Sequence, residues 1–209
     1  NTIKGLVIQG CRNAIVISGE ASGGNKIQNN IIGVSSDEIT PAANDVGILI
    51  NDASTSNIIG TDSDGNNDAF EKNIIAYNSV AGITISDAAT TGNLIRLNSI
   101  YSNSGNGIVV GEGANDGILA PADLAQGDLD TPLHDMMNLS GTPVRSDGII
   151  DIYIADDAES CEGMTYLGST SADEDGNWSF TLVDAYNDAG SIFTATQSTG
   201  SSGTSAFSD

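Results

Sequence analysis

The feature that most constrains this chain is a short phrase of β-type residues that recurs along its first half. It is clearest between Asn93 and Val110, where two short apolar runs are separated by Asn, Ser and Gly. Similar runs, each flanked by Gly or Asn, lie at 5–8, 13–17, 25–33, 46–50, 56–60, 72–78 and 81–85. Runs of this length bury too little to fold alone, so their recurrence predicts units that are stable only when stacked.

The spacing of the phrase Gly-Ile-x-Ile/Val gives the period of the repeat. Its glycine recurs after 25 residues between Gly82 and Gly107, and after 35 residues between Gly47 and Gly82. The interval before that, from Ala14 at the equivalent position to Gly47, is 33 residues, and the two longer intervals contain polar stretches at 35–45 and 61–71. A basal period in the twenties with loops inserted at corners is typical of a solenoid.

The residues of each run favour strands over helices. They are short, rich in Ile, Leu and Val, and bounded by Gly, Asn, Asp and Ser, whereas no stretch between them has a useful 3.6-residue pattern. Strands joined by Asn- and Gly-rich bends predict a parallel β-helix in which inward side chains stack as isoleucine ladders. The residues Asn30, Asn78, Asn98 and Asn103 fall at the bends, where Asn tolerates left-handed backbone angles and stacked amides can bond along the axis. Sugar binding by these asparagines is the alternative.

These residues carry a resemblance to a known family. The stretch ATTGNLIRLNSIYSNSGNGIVVGEGAND, with SNIIGTDSDG and KNIIAYNSVAGITISD before it, resembles the repeats of bacterial secreted or surface right-handed parallel β-helix proteins. The resemblance covers most of residues 1–119 and implies the fold. It does not select a function, because that family includes polysaccharide lyases, hydrolases, adhesins and stalks.

The repeat ends after Val110, and the remaining chain has a different pattern. Residues 148–156 alternate as a strand, residues 164–173 give a second strand, and an Asp-Gly-Asn turn leads to a third with Trp178 on its inner face. SIFTATQS and TSAFS predict two more strands, and five strands at this spacing indicate a small antiparallel sandwich. YLGSTSADEDGNWSF resembles bacterial immunoglobulin-like modules appended to such β-helices.

The predicted protein is therefore all-β, with a right-handed parallel β-helix followed by a small antiparallel immunoglobulin-like β-sandwich. The predicted division is residues 1–119 for the β-helix, 120–143 for an acidic capping or linker segment, and 144–209 for the sandwich. In the resembled family an acidic segment with Gly-Asp-x-Asp, as at 127–130, follows the last coil.

Charge limits the partners of the chain. Its 209 residues contain 28 acids and 6 bases, for a net charge of −22. Nucleic acids and anionic membranes both require Lys and Arg, so neither is an expected partner. No apolar run approaches the roughly 20 residues that span a bilayer, so direct membrane insertion is not expected. The chain opens in mid-pattern at Asn1, which we interpret as a mature segment or a fragment of a longer protein.

Two groups of acids are candidate calcium ligands. The first group, Asp62, Asp64 and Asp68, offers oxygens at near-alternate positions, although Asn67 replaces the expected Gly and Asn73 the expected bidentate Glu. The alternative for this stretch is a solvated corner loop. The second group lies near the predicted junction and consists of Asp116, Asp123, Asp128 and Asp130. Calcium is the only cofactor that the sequence suggests.

Other reactive residues are sparse. Cys11 and Cys161 are the only cysteines, and their separation does not fit a metal site; they pair with each other, pair between molecules, or remain thiols. His134 is the only histidine and has no neighbouring Ser or Cys context for a triad. Arg96 lies between apolar neighbours in a predicted strand, so we expect it to face outward and to form a surface ion pair with a nearby acid.

The expected function is a non-enzymatic structural or adhesive module of an extracellular or cell-surface bacterial protein. Expected partners are copies of itself, other surface proteins or glycans. The first coil opens without a capping element, so its strand edges favour a head-to-tail filament. The alternative is a polysaccharide-binding or polysaccharide-degrading β-helix protein, of the lyase or glycosidase kind. Scattered bases and only three aromatic residues in 1–119 (Phe70, Tyr77 and Tyr101) weigh against it.

Overall fold

A computed structural model of the chain describes residues 1–122, 124–126, 136–142, 144–157, 159–183 and 191–208. Within this part the protein is all-β, as predicted. Its helical turns there are two short 3-10 helices, Asp68–Phe70 and Ala114–Gly117. The strands form five sheets, of which three are parallel and two antiparallel.

The three parallel sheets build a β-solenoid of four coils. Each coil contributes one strand to each sheet, so the sheet orders are β1-β4-β7-β10, β2-β5-β8-β11 and β3-β6-β9-β12. The strands of this part are β1 (Thr2–Lys4), β2 (Val7–Ile8), β3 (Asn13–Ser18), β4 (Lys26–Gln28), β5 (Ile31–Ile32), β6 (Val46–Asn51), β7 (Ile58–Gly60), β8 (Ile74–Ala76), β9 (Ala81–Ile85), β10 (Leu94–Arg96), β11 (Ser99–Tyr101) and β12 (Ile108–Val110). The predicted solenoid is confirmed.

Stacked isoleucines hold the four coils together, as predicted. Each coil contributes four inward residues, and the strand register stacks equivalent residues of the four coils into four rows. These rows are Ile3–Ile27–Ile59–Ile95, Ile8–Ile32–Ile75–Ile100, Ile15–Ile48–Ile83–Ile108 and Ile17–Ile50–Ile85–Val110. These rows make one continuous core. Burying each such side chain contributes roughly 1.5–3 kcal/mol, so every added coil stabilises its neighbours.

Asparagines, all of them buried except the half-buried Asn25, form three further rows at the corners. Their amides donate to the next coil: Asn25 to Asn57 and Asn57 to Asn93, both at 2.8 Å; Asn30 to Asn73 at 3.0 Å and Asn73 to Asn98 at 2.8 Å; Asn44 to Asn78 at 3.0 Å and Asn78 to Asn103 at 2.8 Å. The predicted amide stacking is therefore present. The left-handed backbone angle falls one residue earlier than predicted, at Tyr77, Leu97 and Ser102 for example.

The last described part contains two antiparallel sheets, with orders β13-β14-β17 and β16-β15-β18-β19. Both contribute to one apolar core, which includes the buried Trp178 as predicted. Its strands are β13 (Ala125–Gln126), β14 (Met136–Ser140), β15 (Ile149–Ala155), β16 (Gly163–Ser171), β17 (Ser179–Val183), β18 (Phe193–Thr199) and β19 (Gly203–Thr204).

Three details of this part differ from the sequence prediction. Strands β13 and β14 come from 120–143, which we expected to be a cap or linker, and β14 pairs along its length with β17. The final predicted strand shortens to Gly203–Thr204. Strand β15 is buried on both faces, since Asp151 is 0% and Tyr153 2% exposed. The face expected to meet solvent instead meets the solenoid.

Candidate functional site

The most developed polar site in the described structure is the junction between the fourth solenoid coil and strand β15. Arg96 ends strand β10 and reaches Asp151 in the middle of β15. Its Nε donates to one carboxylate oxygen at 2.7 Å and its Nη2 to the other at 2.6 Å. Ser169 also donates to Asp151 at 2.5 Å, so the carboxylate accepts three hydrogen bonds. This bidentate geometry is the strongest form of Arg–carboxylate contact.

The burial of this pair corrects the sequence prediction. Arg96 was expected to form a surface ion pair, but its side chain is only 11% exposed and that of Asp151 is fully buried. Burial tends to lower the pKa of Arg96, but the hydrogen bonds and charge of Asp151 outweigh it and raise the pKa. The guanidinium therefore remains charged inside the protein. Such a pair holds the solenoid and the C-terminal sheets together, because separating them would leave each buried group without its partner.

A second junction contact continues one of the asparagine rows. Glu162, which is fully buried, lies beyond Asn103 in the row Asn44–Asn78–Asn103. Its Oε2 accepts from the Asn103 backbone N–H at 2.8 Å and from the Asn103 amide at 3.3 Å. In the preceding coil, the equivalent two donors of Asn78, its N–H and its amide, bind the side-chain oxygen of Asn103. A glutamate thus substitutes for the next asparagine and ends the solenoid.

The environment of Glu162 favours its neutral form. Burial is the main cause that raises its pKa to about 8, and the nearby Asp156 carboxylate raises it further, whereas the Asn103 donors oppose the shift. Its Oε1 is buried without a hydrogen-bond partner among the described residues. A carboxyl group in this position resembles the amide that it replaces.

The row through Asn93 passes to Asn115, whose side-chain oxygen accepts from the Asn93 N–H at 3.1 Å. A third junction contact covers the edge of strand β10 beside it. Thr204 accepts from the Ile95 N–H through its hydroxyl at 2.8 Å and donates its own N–H to the Asn93 carbonyl at 3.0 Å. Gly203 forms a parallel bridge with Asn93 and has a φ of 97°. A Cβ there would lie 2.5 Å from the Asn93 carbonyl oxygen, so this approach requires glycine.

The first candidate calcium group converges in space. Oxygens of Asp62, Asp64 and Asp68 all lie within 4.8 Å of one another on the loop after β7. Lys26 donates to Asp62 and lowers the pKa of that carboxyl. Asp64 accepts from the Asn66 N–H at 2.7 Å, while Asp68 has a buried oxygen without a partner in the described part. Hard carboxylate oxygens in this arrangement suit a calcium ion.

The second candidate calcium group is described only at Asp116. This residue is exposed with a left-handed backbone, and its carbonyl accepts from Arg145 at 3.0 Å. Asp123, Asp128, Asp130 and His134 lie outside the described residues. Cys11 is exposed in the first coil and Cys161 is half-buried beyond β15; no disulfide joins these two described thiols.

A groove runs along the outer face of the sheet β2-β5-β8-β11. We call it the axial groove and define it by its floor (Val7, Ile31 and Ile74), its two lips (Ile39 and Phe70) and its end at Met164. It consists of two adjoining cavities of about 680 and 450 Å³ that share Glu38, Ala69, Lys72 and Ile74. The inserted loops predicted at 35–45 and 61–71 supply its lips.

The junction and the groove were both missed by the sequence analysis. A signal for the junction existed in the polar residues of otherwise apolar strands, Arg96 and Asp151. A signal for the groove existed in Ile39 and Phe70, which are large apolar residues within polar insertions.

Comparisons with known proteins give no family for the chain. Neither a scan against protein-family models nor a search of curated proteins finds a match. Among the described residues, no helix is long and apolar enough to cross a membrane.

Proposed function

We propose that this chain is a non-enzymatic structural or adhesive module of an extracellular or cell-surface bacterial protein. The observation that carries the proposal is that the C-terminal part continues the solenoid's own hydrogen bonding, with Glu162 at the end of an asparagine row and Thr204 at the edge of β10. Together with the buried Arg96–Asp151 pair, these contacts support one elongated unit in which the solenoid and its cap do not move independently. A unit of this kind suits a stalk or spacer.

The proposal includes a finer description of the fold. A right-handed coil is favoured because parallel crossover connections are right-handed in about 98% of cases. An immunoglobulin-like sandwich is supported by two antiparallel sheets sharing one core around Trp178. A crystal structure would test both the hand of the coil and the strand order of the sandwich.

The proposal also includes head-to-tail assembly. Strands β1, β2 and β3 each pair on one side only within the described structure, and an opening of about 310 Å³ beside them is lined by Ile3, Ile15 and Ile27. Edge strands with free backbone groups accept further strands. A second copy added there makes a contact that does not close on itself.

Assembly at this edge is expected to depend on Ile3. Ile3→Lys places a charge at the opening, so filaments formed by the 209-residue chain should disappear in negative-stain electron microscopy. Val80→Lys introduces the same charge at an exposed position, 57% accessible, and should leave them intact. Monodisperse monomers at every concentration in sedimentation velocity would remove assembly from the proposal.

We further propose that Asp62, Asp64 and Asp68 bind calcium. Three carboxylates provide part of the six to eight oxygens that calcium takes, with water supplying the rest. The expected dissociation constant is about 0.1–1 mM, the range of weak extracellular sites. Isothermal titration calorimetry of the wild-type protein should detect it.

The double replacement Asp64→Asn and Asp68→Asn is expected to weaken calcium binding by at least tenfold, because it removes two formal charges from the ligand set. Asp175→Asn changes an exposed acid in a distant turn and serves as the control. Equal heats from wild type and the double variant would show that these carboxylates do not hold the ion.

The enzymatic alternative predicts a carboxyl group held protonated to act as a general acid. In the described acidic cluster, the hydrogen bond from Lys26 lowers the pKa of Asp62 instead. Burial raises the pKa of Glu162, but this side chain is fully buried in the junction, where no substrate reaches it. Assays for depolymerisation of neutral and acidic glycans, with and without calcium, are expected to give no products. Turnover in such an assay would replace the structural proposal.

A further inference from the structure

The axial groove collects a large share of the protein's exposed apolar side chains. Ten large apolar residues are exposed in the described structure, and five of them line the two cavities: Leu6, Val7, Ile39, Phe70 and Met164. Ile39 and Phe70 are 74% and 70% exposed. The other five line neither cavity, so this concentration points to an interaction surface.

The lips of the groove are held in place by the fold. The Tyr101 hydroxyl donates to the Glu38 carbonyl at 2.9 Å and fixes the tip of one insertion. Asp37 stiffens the same tip by accepting from the Ile39 and Thr40 N–H groups at 3.0 and 2.9 Å. On the opposite lip, the Phe70 N–H donates to the Asn67 carbonyl at 2.7 Å within the 3-10 turn. The groove is therefore built before any partner arrives.

The dimensions of the groove fit an extended chain. The groove extends from β2 across β5, β8 and β11 to β16. These four steps give a length of about 19 Å at a strand spacing of roughly 4.8 Å. An extended polypeptide rises about 3.3 Å per residue, so about six residues fill this length. Val7, Ile31 and Ile74 are aligned along the floor by the strand register, and they present aliphatic rather than aromatic surface.

Charge identifies the partner more closely. Three acids, Asp37, Glu38 and Asp68, line the groove against one base, Lys72. No six-residue stretch of this chain contains two basic residues, so a segment of a second copy does not match the acidic lips. Aliphatic floor and acidic lips together match apolar side chains interspersed with basic ones, and a polypeptide supplies both.

We propose that the axial groove binds an extended segment of another protein in which aliphatic and basic side chains alternate. The aliphatic side chains pack on the floor between Ile39 and Phe70, and the basic side chains reach Asp37, Glu38 and Asp68. The groove begins at Val7 in the first coil, ends beside the junction at Met164 and shares Asp68 with the proposed calcium site. Its occupant is a peptide from another protein, so the inference does not rest on the assembly or the calcium binding proposed above.

The test uses a fluorescent eight-residue peptide of alternating lysine and valine, measured by anisotropy with the full chain in 0.15 M NaCl and EDTA. EDTA keeps calcium from neutralising Asp68. Matched peptides of alternating glutamine and valine, and of alternating lysine and serine, remove the charge or the apolar surface. We expect the lysine–valine peptide to bind at least tenfold more tightly than either.

Groove variants decide whether that binding is local. Ile39→Ser with Phe70→Ser is expected to weaken binding at least tenfold, and both positions are exposed enough to leave the fold intact. Val80→Ser with Val183→Ser removes exposed apolar surface elsewhere, at residues 57% and 62% accessible, and should bind as wild type. No peptide binding, equal loss in both variants, or displacement of the peptide by a neutral oligosaccharide would overturn the proposal.

Discussion

Replacing Arg96 with methionine is expected to lower the free energy of unfolding by about 3–5 kcal/mol, the usual cost of breaking a buried ion pair by removing one partner. Methionine keeps the apolar stem of Arg96 but leaves the fully buried Asp151 carboxyl group without its counter-ion. Ser169 alone cannot replace the two donors that are lost. Urea unfolding followed by circular dichroism measures the change.

A double replacement distinguishes the electrostatic contribution of the ion pair from the packing contribution of its two side chains. Adding Asp151→Leu to Arg96→Met removes the stranded carboxylate, and buried ion pairs replaced by apolar residues of similar volume are often neutral or stabilising. We therefore expect the double variant to recover most of the lost stability. If its loss equalled the sum of the two single variants, Arg96 and Asp151 would not act as a pair.

The second ion pair of the described structure provides the matched control. Lys26 donates to Asp62 on the surface of the solenoid, where the lysine side chain is 41% exposed. Exposed pairs contribute about 0–1 kcal/mol because water screens them and long side chains lose entropy on pairing. Lys26→Met should consequently shift the urea midpoint little. The difference between the stability losses of Arg96→Met and Lys26→Met measures how much burial increases the contribution of an ion pair.

The solenoid could be predicted from the sequence because its contacts repeat. The same apolar positions recur in every coil, so the isoleucine rows and the corner asparagines such as Asn78 and Asn103 follow from the period alone. The insertions at 35–45 and 61–71 were found for the same reason, as interruptions of that period. Convergence of Asp62, Asp64 and Asp68 followed from their closeness in sequence.

The junction could not be predicted in the same way. Arg96 and Asp151 are 55 residues apart, and Asn103 and Glu162 are 59 apart, and neither pair belongs to a repeat. Whether the outer face of β15 meets water or another sheet depends on how the two parts dock. Alternation along β15 correctly places Asp151 and Tyr153 on one face, but it does not reveal what covers that face.

The stability of the protein is expected to fall as pH rises from about 5 to 8, because of Glu162. Burial raises the pKa of this carboxyl to about 8 in the folded protein, from an ordinary value of 4.5. Below the lower value both states hold the proton, so the full stabilisation is present. Between the two values the unfolded chain releases its proton while the folded protein retains it, which favours unfolding.

The expected slope is up to about 1.4 kcal/mol for each pH unit in this window, the free energy equivalent of one pKa unit. Above about pH 8 the Glu162 contribution becomes constant, because both states are then ionised. Acids whose pKa is lowered, such as Asp37 at about 2, titrate below the window. Urea midpoints measured at half-unit intervals from pH 5 to 9 give the slope.

Glu162→Gln isolates this contribution. Glutamine cannot ionise, and its side-chain oxygen can accept from the same two donors of Asn103, so the variant should keep the junction while losing the slope. Every other group that titrates between pH 5 and 8 is common to both proteins and cancels in their difference. Above pH 8 the variant should be the more stable protein, because wild type must either bury a charge or open the end of the solenoid. Parallel slopes for the two proteins would mean that Glu162 is ionised, and that the row from Asn44 to Asn103 ends on a carboxylate rather than on a neutral carboxyl group.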